Sequence, residues 1–175
     1  VGMAITQGHE DHMGGLPFLL PELPNFPIYA TPLTAEFANR KLKEFGVVSR
    51  VQKVDFEGGE VKVGSFSLNF IRVTHSVPDT SHIFIKTPIG NFYHGSDFKF
   101  EMNPFDGKQS DFKKIGLLAE QGVISLMSDC LRAEQKGHIK SEAPILQAFE
   151  RELEKTKGKL IVTTYSSNIS RAGMR

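Results

Sequence analysis

The residues Gln7-Gly8-His9-Glu10-Asp11-His12 form the densest cluster of metal-binding side chains in the sequence. They follow a short apolar stretch that predicts the end of a buried strand, and a Gly14-Gly15 turn comes after them. Imidazole and carboxylate groups together suit zinc. Because Asp11 and His12 should point away from His9, we expect one cluster with two metals, which can hold a hydroxide and clamp a phosphoryl group. The alternative is a polar surface turn in which histidines cluster by chance.

Two further residues extend this cluster. His75 lies in the stretch Val73-Thr74-His75-Ser76, and Asp97 lies in the stretch Gly95-Ser96-Asp97-Phe98, each just past a predicted strand. A strand end presents a ligand rigidly, although a lone histidine or aspartate there is more often a cap or turn residue. His75 and Asp97 are therefore candidate metal ligands only if residues 7–12 bind metal.

The elements that position these residues alternate between strand and helix patterns, which predicts an α/β layered domain. Thr31 is an expected N-cap with Pro32 at the first helical position, and Gly46 should end that helix. Strand patterns cover residues 1–5, 28–31, 50–56, 60–63, 65–73, 81–87, 91–94, 122–127 (as a buried strand) and 160–165. Further helices are predicted over residues 112–120 and from a Ser141 cap to Gly158.

The bulk composition is that of a globular domain, with 175 residues of which 39% are hydrophobic and 23% are charged. No apolar run approaches the roughly 18 residues of a membrane span. The net charge of +1 gives no overall basic surface, so any interaction with RNA must come from local charge. The single cysteine, Cys130, excludes an intramolecular disulfide and suits a reducing compartment, so we expect a cytoplasmic protein. Both ends lie next to predicted strands, and we expect a fragment truncated at each end.

These motifs resemble the metallo-β-lactamase superfamily, whose first motif is His-x-His-x-Asp-His, followed by a lone histidine and a lone aspartate. The sequence is most similar to the ribonuclease J family of the β-CASP branch, in which the motif continues as residues 14–20 do here. Residues 75–79 and 96–100 are similar to two more motifs of that family. Residues 128–142 and 164–171 resemble the stretch that leads into its β-CASP domain and the first strand of that domain.

The resemblance implies a partial metallo-β-lactamase αββα sandwich over residues 1–140, with the beginning of an inserted β-CASP α/β domain over residues 141–175. It also implies a zinc-dependent ribonuclease that hydrolyses RNA phosphodiester bonds, as an endonuclease, a 5′-to-3′ exonuclease or both. Such an enzyme acts in RNA processing, ribosomal RNA included, and in RNA decay. RNA is then the partner, no membrane is involved, and we expect the complete protein to be a homo-oligomer.

The resemblance also assigns roles in a site with two zinc ions, for which a metal-bridging hydroxide would attack the phosphorus. Asp11 would orient this nucleophile, and Asp129 matches an acidic residue that steers a histidine beyond this chain, although it is equally acceptable as a turn residue. A further histidine ligand would also lie beyond Arg175. The first zinc would bind His9 and His75, the second would bind Asp11 and His12, and Asp97 would bridge them.

Gln7 departs from the family because it stands where the first histidine of the motif is expected, and an amide oxygen is a poorer zinc donor than imidazole. Three interpretations of Gln7 are open: a weakened site, a sequencing error, or a catalytically impaired homologue that serves as an RNA-binding or assembly subunit. Ser170 similarly replaces a histidine common in the family. A hydrolase of small esters, thioesters or lactams is a further alternative, against which the β-CASP-like stretch argues.

Candidate RNA contacts lie in the last third of the chain. A mostly basic loop could follow a phosphate backbone or could simply be solvated. The residues considered are Arg132, Lys136, His138, Lys140, Ser167, Asn168 and Arg171. We expect structural roles for His82, His94 and His138, with His94 also able to support a metal ligand, and we expect Cys130 to be buried filler.

Overall fold

The computed structural model describes residues 1–48, 50–137 and 141–169, which form two sheets and five α-helices. The first sheet is parallel and has the order β1 (Met3–Ile5), β2 (Ile28–Ala30), β3 (Val51–Lys53). The second sheet has the order β4 (Val61–Val63), β5 (Phe66–Arg72), β6 (Ser81–Thr87), β7 (Gly90–Gly95), β8 (Ser125–Ser128). Its strands are antiparallel except for the parallel pair β7–β8.

The helices are short except for two of thirteen residues. They are α1 (Glu10–Met13), α2 (Leu16–Leu19), which leads into a 3-10 turn (Leu20–Glu22), α3 (Pro32–Glu44), α4 (Phe112–Ala119) and α5 (Ala143–Lys155). Within the described part of the chain, none of them has the length and apolar character that crossing a membrane requires.

Side-chain alternation along the strands produces four layers. In the first sheet, Ile5 and Ile28 pack against α1, α2 and α3, whereas Tyr29 packs on the opposite face. There it packs with Phe70 and Ile83 of the second sheet, so the two sheets share a core. On the far face of the second sheet, a separate cluster joins the sheet to α4; its buried members are Ile71, Phe84, Tyr93 and Leu118. The resulting α/β/β/α order confirms the predicted sandwich class.

Helix α3 begins and ends where the sequence predicts. Thr31 is the N-cap with an extended backbone and Pro32 opens the helix, where its missing N–H costs nothing. Gly46 follows the helix with φ of 70°, a left-handed conformation that glycine adopts without steric penalty. The two alanines of its buried face, Ala35 and Ala38, are fully inaccessible and let the helix lie close to the first sheet.

Four sequence expectations fail in the described structure. The segment 122–127 was predicted as a buried strand, but β8 is an edge strand that is exposed at every position because its side chains belong to none of the described core clusters. Residues 160–165 form no strand, since no described strand pairs with their backbone. The N-cap of α5 is Glu142 rather than Ser141, although the Ser141 hydroxyl accepts from the backbone N–H of Ala143 at 3.2 Å while it donates to Glu101. Cys130 is exposed rather than buried.

Candidate metal centre

Strand direction gathers the candidate ligands of the second sheet at one edge. Strands β5, β7 and β8 run in the same direction, because β6 is antiparallel to β5 and β7, and β8 is parallel to β7. His75 follows β5, Asp97 follows β7 and Asp129 follows β8. The backbone N–H of Asp129 donates to the carbonyl of Gly95 at 3.0 Å, which holds the ends of β7 and β8 together.

Thr6 brings the end of β1 to the same edge. Its carbonyl accepts hydrogen bonds from the backbone N–H of Ser81 at 2.8 Å and from the Ser81 hydroxyl at 3.0 Å. Its own hydroxyl lies 2.8 Å from the hydroxyl of Ser96, next to Asp97. The residues that follow Thr6 therefore enter the site from the first sheet.

The last three residues of the metal-binding motif, Glu10 to His12, lie on the short helix α1. His9 is the N-cap, with φ of −75° and ψ of 152°, and its side chain makes no capping bond. Glu10 is ion-paired with Lys41 of α3, which anchors the helix. At Gly8 an added Cβ would lie 2.6 Å from the ring of Phe37, so α3 and this turn are in close contact. Packing against α3 thus fixes the direction of the motif.

Five side chains converge into two donor groups that share Asp97. One contains His9, His75 and Asp97, and the other contains Asp11, His12 and Asp97; in each, the donor atoms lie within 4.8 Å of one another. Asp97 Oδ2 is 3.1 Å from His12 Nε2 and 3.9 Å from His75 Nε2. Nitrogen and carboxylate donors at these separations fit divalent metal ions such as zinc. Two ions joined by one carboxylate is the arrangement that the residues present can accommodate.

The protonation states also suit a cation. Burial, reinforced by the nearby charge of His9, lowers the pKa of His75 to about 4, so its ring is neutral at physiological pH. Burial raises the pKa of Asp97, but hydrogen bonds from Gln7 and His12 and the charges of His12 and His75 outweigh it. The net pKa of Asp97 is lowered, which keeps it ionised. Neutral imidazole and ionised carboxylate are the forms that bind metal.

Gln7 is fully buried within this group of residues. Its Nε2 lies 2.9 Å from Nε2 of His12, and its amide also hydrogen-bonds to Asp97. Its Oε1 is buried without a hydrogen-bond partner among the described atoms. The residue that departs from the family motif is therefore in direct contact with both donor groups, through the carboxylate that they share.

Two residues that support the ligands were not singled out from the sequence. Ser76 Oγ lies 3.2 Å from His9 Nε2. Asp79 accepts a hydrogen bond from the backbone N–H of Leu33, at the N-terminus of α3, at 3.1 Å, where a negative charge is favoured. Its φ of 58° is unusual for a residue other than glycine and is consistent with a constrained turn after His75. Both residues lie in the motif His75-Ser76-Val77-Pro78-Asp79, which could have identified them from the sequence.

Other candidate residues occupy different positions relative to the site. Asp129 is half-buried and its charge raises the pKa of His75, which places it beside that ligand. His94 is close enough to His12 for their charges to interact, whereas His82 is buried and bonded through Nδ1 to Tyr93. Arg132, Lys136 and Ser167 are exposed, and Asn168 is partly buried. His138, Lys140, Ser170 and Arg171 lie outside the described residues.

A cleft of about 430 Å³ opens beside His75. Lys99 pairs with Glu142 at 2.9 Å, and Glu142 and the first turns of α5 form one wall of the cleft. Arg72 pairs with Asp79 at 3.4 Å and lies 3.9 Å from the ring centre of Phe56. Of the five candidate ligands, His75 lines this cleft.

Comparison with known proteins relates the chain to RNA-degrading enzymes. No family model matches it. It is 40% identical over 176 residues to Ribonuclease J of Thermus thermophilus, covering 95% of this chain and 30% of that protein. It is 37% identical over 175 residues to Ribonuclease J of Synechocystis, covering 99% of this chain and 27% of that protein. The chain thus spans less than a third of these relatives.

The fold also recurs in a solved structure. A protein of unknown function from Enterococcus faecalis superposes with a TM-score of 0.70 over 98% of this chain and 43% of that one, at 16% sequence identity. At that identity the similarity concerns the fold alone.

Proposed function

Because the chain is homologous to one segment of the ribonuclease J family along 95% of its length, we propose that the complete protein is a metal-dependent ribonuclease. It hydrolyses RNA phosphodiester bonds in RNA processing and decay, as an endonuclease, a 5′-to-3′ exonuclease or both. The observation that carries the proposal is the convergence of five histidine and aspartate side chains into two donor groups sharing Asp97. We further propose that it works in the cytoplasm as a homo-oligomer.

The donor groups are proposed to hold two divalent metal ions, with zinc favoured by the imidazoles. Such ions activate water and stabilise charge on phosphoryl oxygens. His9 and His75 serve one position and Asp11 and His12 serve the other, while Asp97 holds both. The neutral ring of His75 and the ionised carboxylate of Asp97 make the donor atoms available. Asp11, whose side chain is 76% exposed, also orients an attacking water. Asp129 adds negative charge beside His75.

The test uses the complete natural protein and end-labelled single-stranded RNA. We expect cleavage that a chelator abolishes and that Asp97→Asn lowers by roughly 100-fold or more, because both donor groups lose a shared ligand. Glu44→Gln, an exposed carboxylate on α3, is the matched control and should retain full activity. Mononucleotide products would indicate exonuclease action, and internal fragments would indicate endonuclease action.

Two results would redirect the proposal. Hydrolysis of a chromogenic lactam without RNA cleavage would identify a small-molecule hydrolase. RNA binding without cleavage would identify the non-catalytic homologue that the replacement of histidine by Gln7 favours.

We propose that RNA leaves the site along the loop after β8, where Arg132 and Lys136 are exposed. Ser167, Asn168 and Arg171 are proposed as additional contacts. Replacing Arg132 and Lys136 with glutamine should weaken RNA binding and reduce its salt dependence by about two ion contacts. Lys113→Gln, at an exposed lysine of α4, is the control. An unchanged salt dependence in the double variant would exclude this path.

The domain division is proposed on the same resemblance, with the metallo-β-lactamase core over residues 1–140 and the start of a β-CASP domain over residues 141–175. Residues at the start of α5 bond to Glu101 of the core, which supports a junction there. Limited proteolysis of the complete protein should cut near this junction, and resistance there would argue against the division.

A further inference from the structure

We propose that Gln7 is a metal ligand in its own right, through its amide oxygen, and that it serves the position formed by Asp11, His12 and Asp97. This inference rests on the metal site proposed above and adds a donor to it. It makes the two positions unequal, because the other position, formed by His9, His75 and Asp97, keeps three side-chain donors.

The first support is the burial of an amide that has too few partners. Gln7 has no exposed surface, and its Oε1 is buried with no hydrogen-bond donor among the described atoms. Since no hydrogen bond holds that end of the amide, a half-turn of the amide loses no hydrogen bond there. The nearest polar neighbours of the amide are the ligands of the site.

The second support is a hydrogen-bonding conflict at His12. Its Nε2 lies 2.9 Å from Nε2 of Gln7 and 3.1 Å from Oδ2 of Asp97. One ring nitrogen carries either a proton or a lone pair, so it cannot both accept from the amide and donate to the carboxylate. The three atoms therefore do not form a satisfied hydrogen-bond network as they stand.

Rotation of the terminal amide resolves the conflict when a cation is present. A half-turn exchanges the oxygen and nitrogen of Gln7 at nearly unchanged positions. The oxygen then faces His12 and Asp97, so that three lone-pair donors converge. Two donors about 2.1 Å from one ion and at right angles to it are about 3 Å apart, which matches the separations of 2.9 and 3.1 Å.

The donor types set the chemical character of each position. With Gln7, the position at Asp11, His12 and Asp97 has three oxygen donors and one nitrogen, and oxygen-rich sites suit harder cations such as Mn²⁺. The position at His9 and His75 has two nitrogens and one oxygen and suits zinc. Mn²⁺ is therefore the appropriate probe, because its binding is visible by electron paramagnetic resonance without any assay of activity.

The test titrates Mn²⁺ into the complete protein and its variants after each has been stripped of metal and given one equivalent of zinc, with metal content measured in parallel. Gln7→Leu, which removes the oxygen donor, should weaken Mn²⁺ binding roughly 10-fold or more while zinc content stays the same. Gln7→Glu, which keeps an oxygen donor and adds charge, should bind Mn²⁺ at least as tightly as the natural protein. Gln52→Leu, an exposed glutamine on β3, is the control and should change nothing.

Each outcome decides the role of Gln7. If the amide only makes hydrogen bonds, the metal must displace it, and Gln7→Leu would bind Mn²⁺ equally well or more tightly. That result, or weaker binding by Gln7→Glu, overturns the inference. Should Gln7→Leu fail to fold, the Gln7→Glu titration still decides it. RNA cleavage is measured in the separate assay described above. A protein that binds metal as expected but leaves RNA intact would refute the proposed nuclease and leave this inference standing.

Discussion

Apolar side chains are buried in one half of the second sheet and exposed in the other. In β5 and β6, Phe70 and Phe84 are at most 1% exposed, whereas in β8 Leu126 is 66% exposed and Met127 is 45% exposed. The first pair lies between the first sheet and α4, so both faces of the strands are covered. Strand β8 lies at the edge of the sheet and exposes all its residues. Burial here depends on the neighbouring layers rather than on the hydrophobicity of the strand.

The largest expected effect is on the free energy of unfolding, and it compares a buried residue of β5 with an exposed residue of β8. Phe70→Ala should lower the free energy of unfolding of the 175-residue chain by about 3–5 kcal/mol, because it leaves a cavity between the two sheets. Leu126→Ala should cost less than about 0.5 kcal/mol, since its side chain is already in water. Denaturant titration measures both. Equal costs would show that the edge strand is covered in solution.

The second effect concerns pH, through the buried His82. Burial lowers the pKa of His82 from 6.5 to about 4 in the folded protein. Between these values the unfolded chain binds more protons, so stability is full above pH 6.5 and falls as the pH drops towards 4. The loss amounts to at most about 3 kcal/mol.

Melting temperatures of the metal-free chain across this pH range provide the measurement. His82→Phe should make the melting temperature depend less on pH. A smaller pH dependence should remain because His75 titrates in the same range. Tyr93→Phe is the control, because it removes the hydrogen bond to His82 and leaves the imidazole in place. A steep dependence retained in His82→Phe would assign the proton uptake elsewhere.

A smaller effect on stability is expected at Glu101, which joins the core to the residues before the exposed helix α5. Glu101 is 8% exposed and accepts hydrogen bonds from the Ser141 hydroxyl at 2.9 Å and from the Glu142 N–H at 3.0 Å. Glu101→Gln places an amide donor against one of these donors and should cost about 1–2 kcal/mol. Hydrogen exchange should become faster in α5 and stay unchanged in β5. Glu152→Gln, exposed on α5, serves as the control.

The smallest effect on stability is expected when a charge is placed on the exposed edge strand β8. Leu126→Lys should change the unfolding free energy of the chain by less than about 0.5 kcal/mol. It should also reduce self-association, because a charge on an apolar edge strand opposes pairing with another chain. Light scattering at matched concentrations measures this. Increased aggregation of the variant would indicate that Leu126 is needed for folding.

Much of the fold could be predicted from local patterns. The boundaries of α3 follow from Thr31, Pro32 and Gly46, and the bounds of β6 are those expected from its sequence. These features depend on short-range chemistry, which the sequence shows directly. The apolar segment at residues 122–127 was misjudged because the same pattern fits a covered strand and an exposed edge. The segment 160–165 was misjudged because strand formation requires a partner.

The candidate site could be predicted as a list of residues but not as an arrangement. His9, Asp11, His12, His75 and Asp97 were expected together, and the structure brings them within reach of one another. Their roles as ligands remain a prediction. The supporting contacts of Ser76 and Asp79 could not be predicted, since each joins residues far apart in the chain.

By itself, the sequence determined the chemical types of the donors, the motif that carries three of them and the strand ends that carry the other two. The tertiary structure alone decided that β5, β7 and β8 run in the same direction, which brings His75, Asp97 and Asp129 to one edge. It also decided that Gln7 lies buried against His12 and Asp97. Side-chain chemistry is a property of single residues, whereas burial and convergence depend on packing between distant segments.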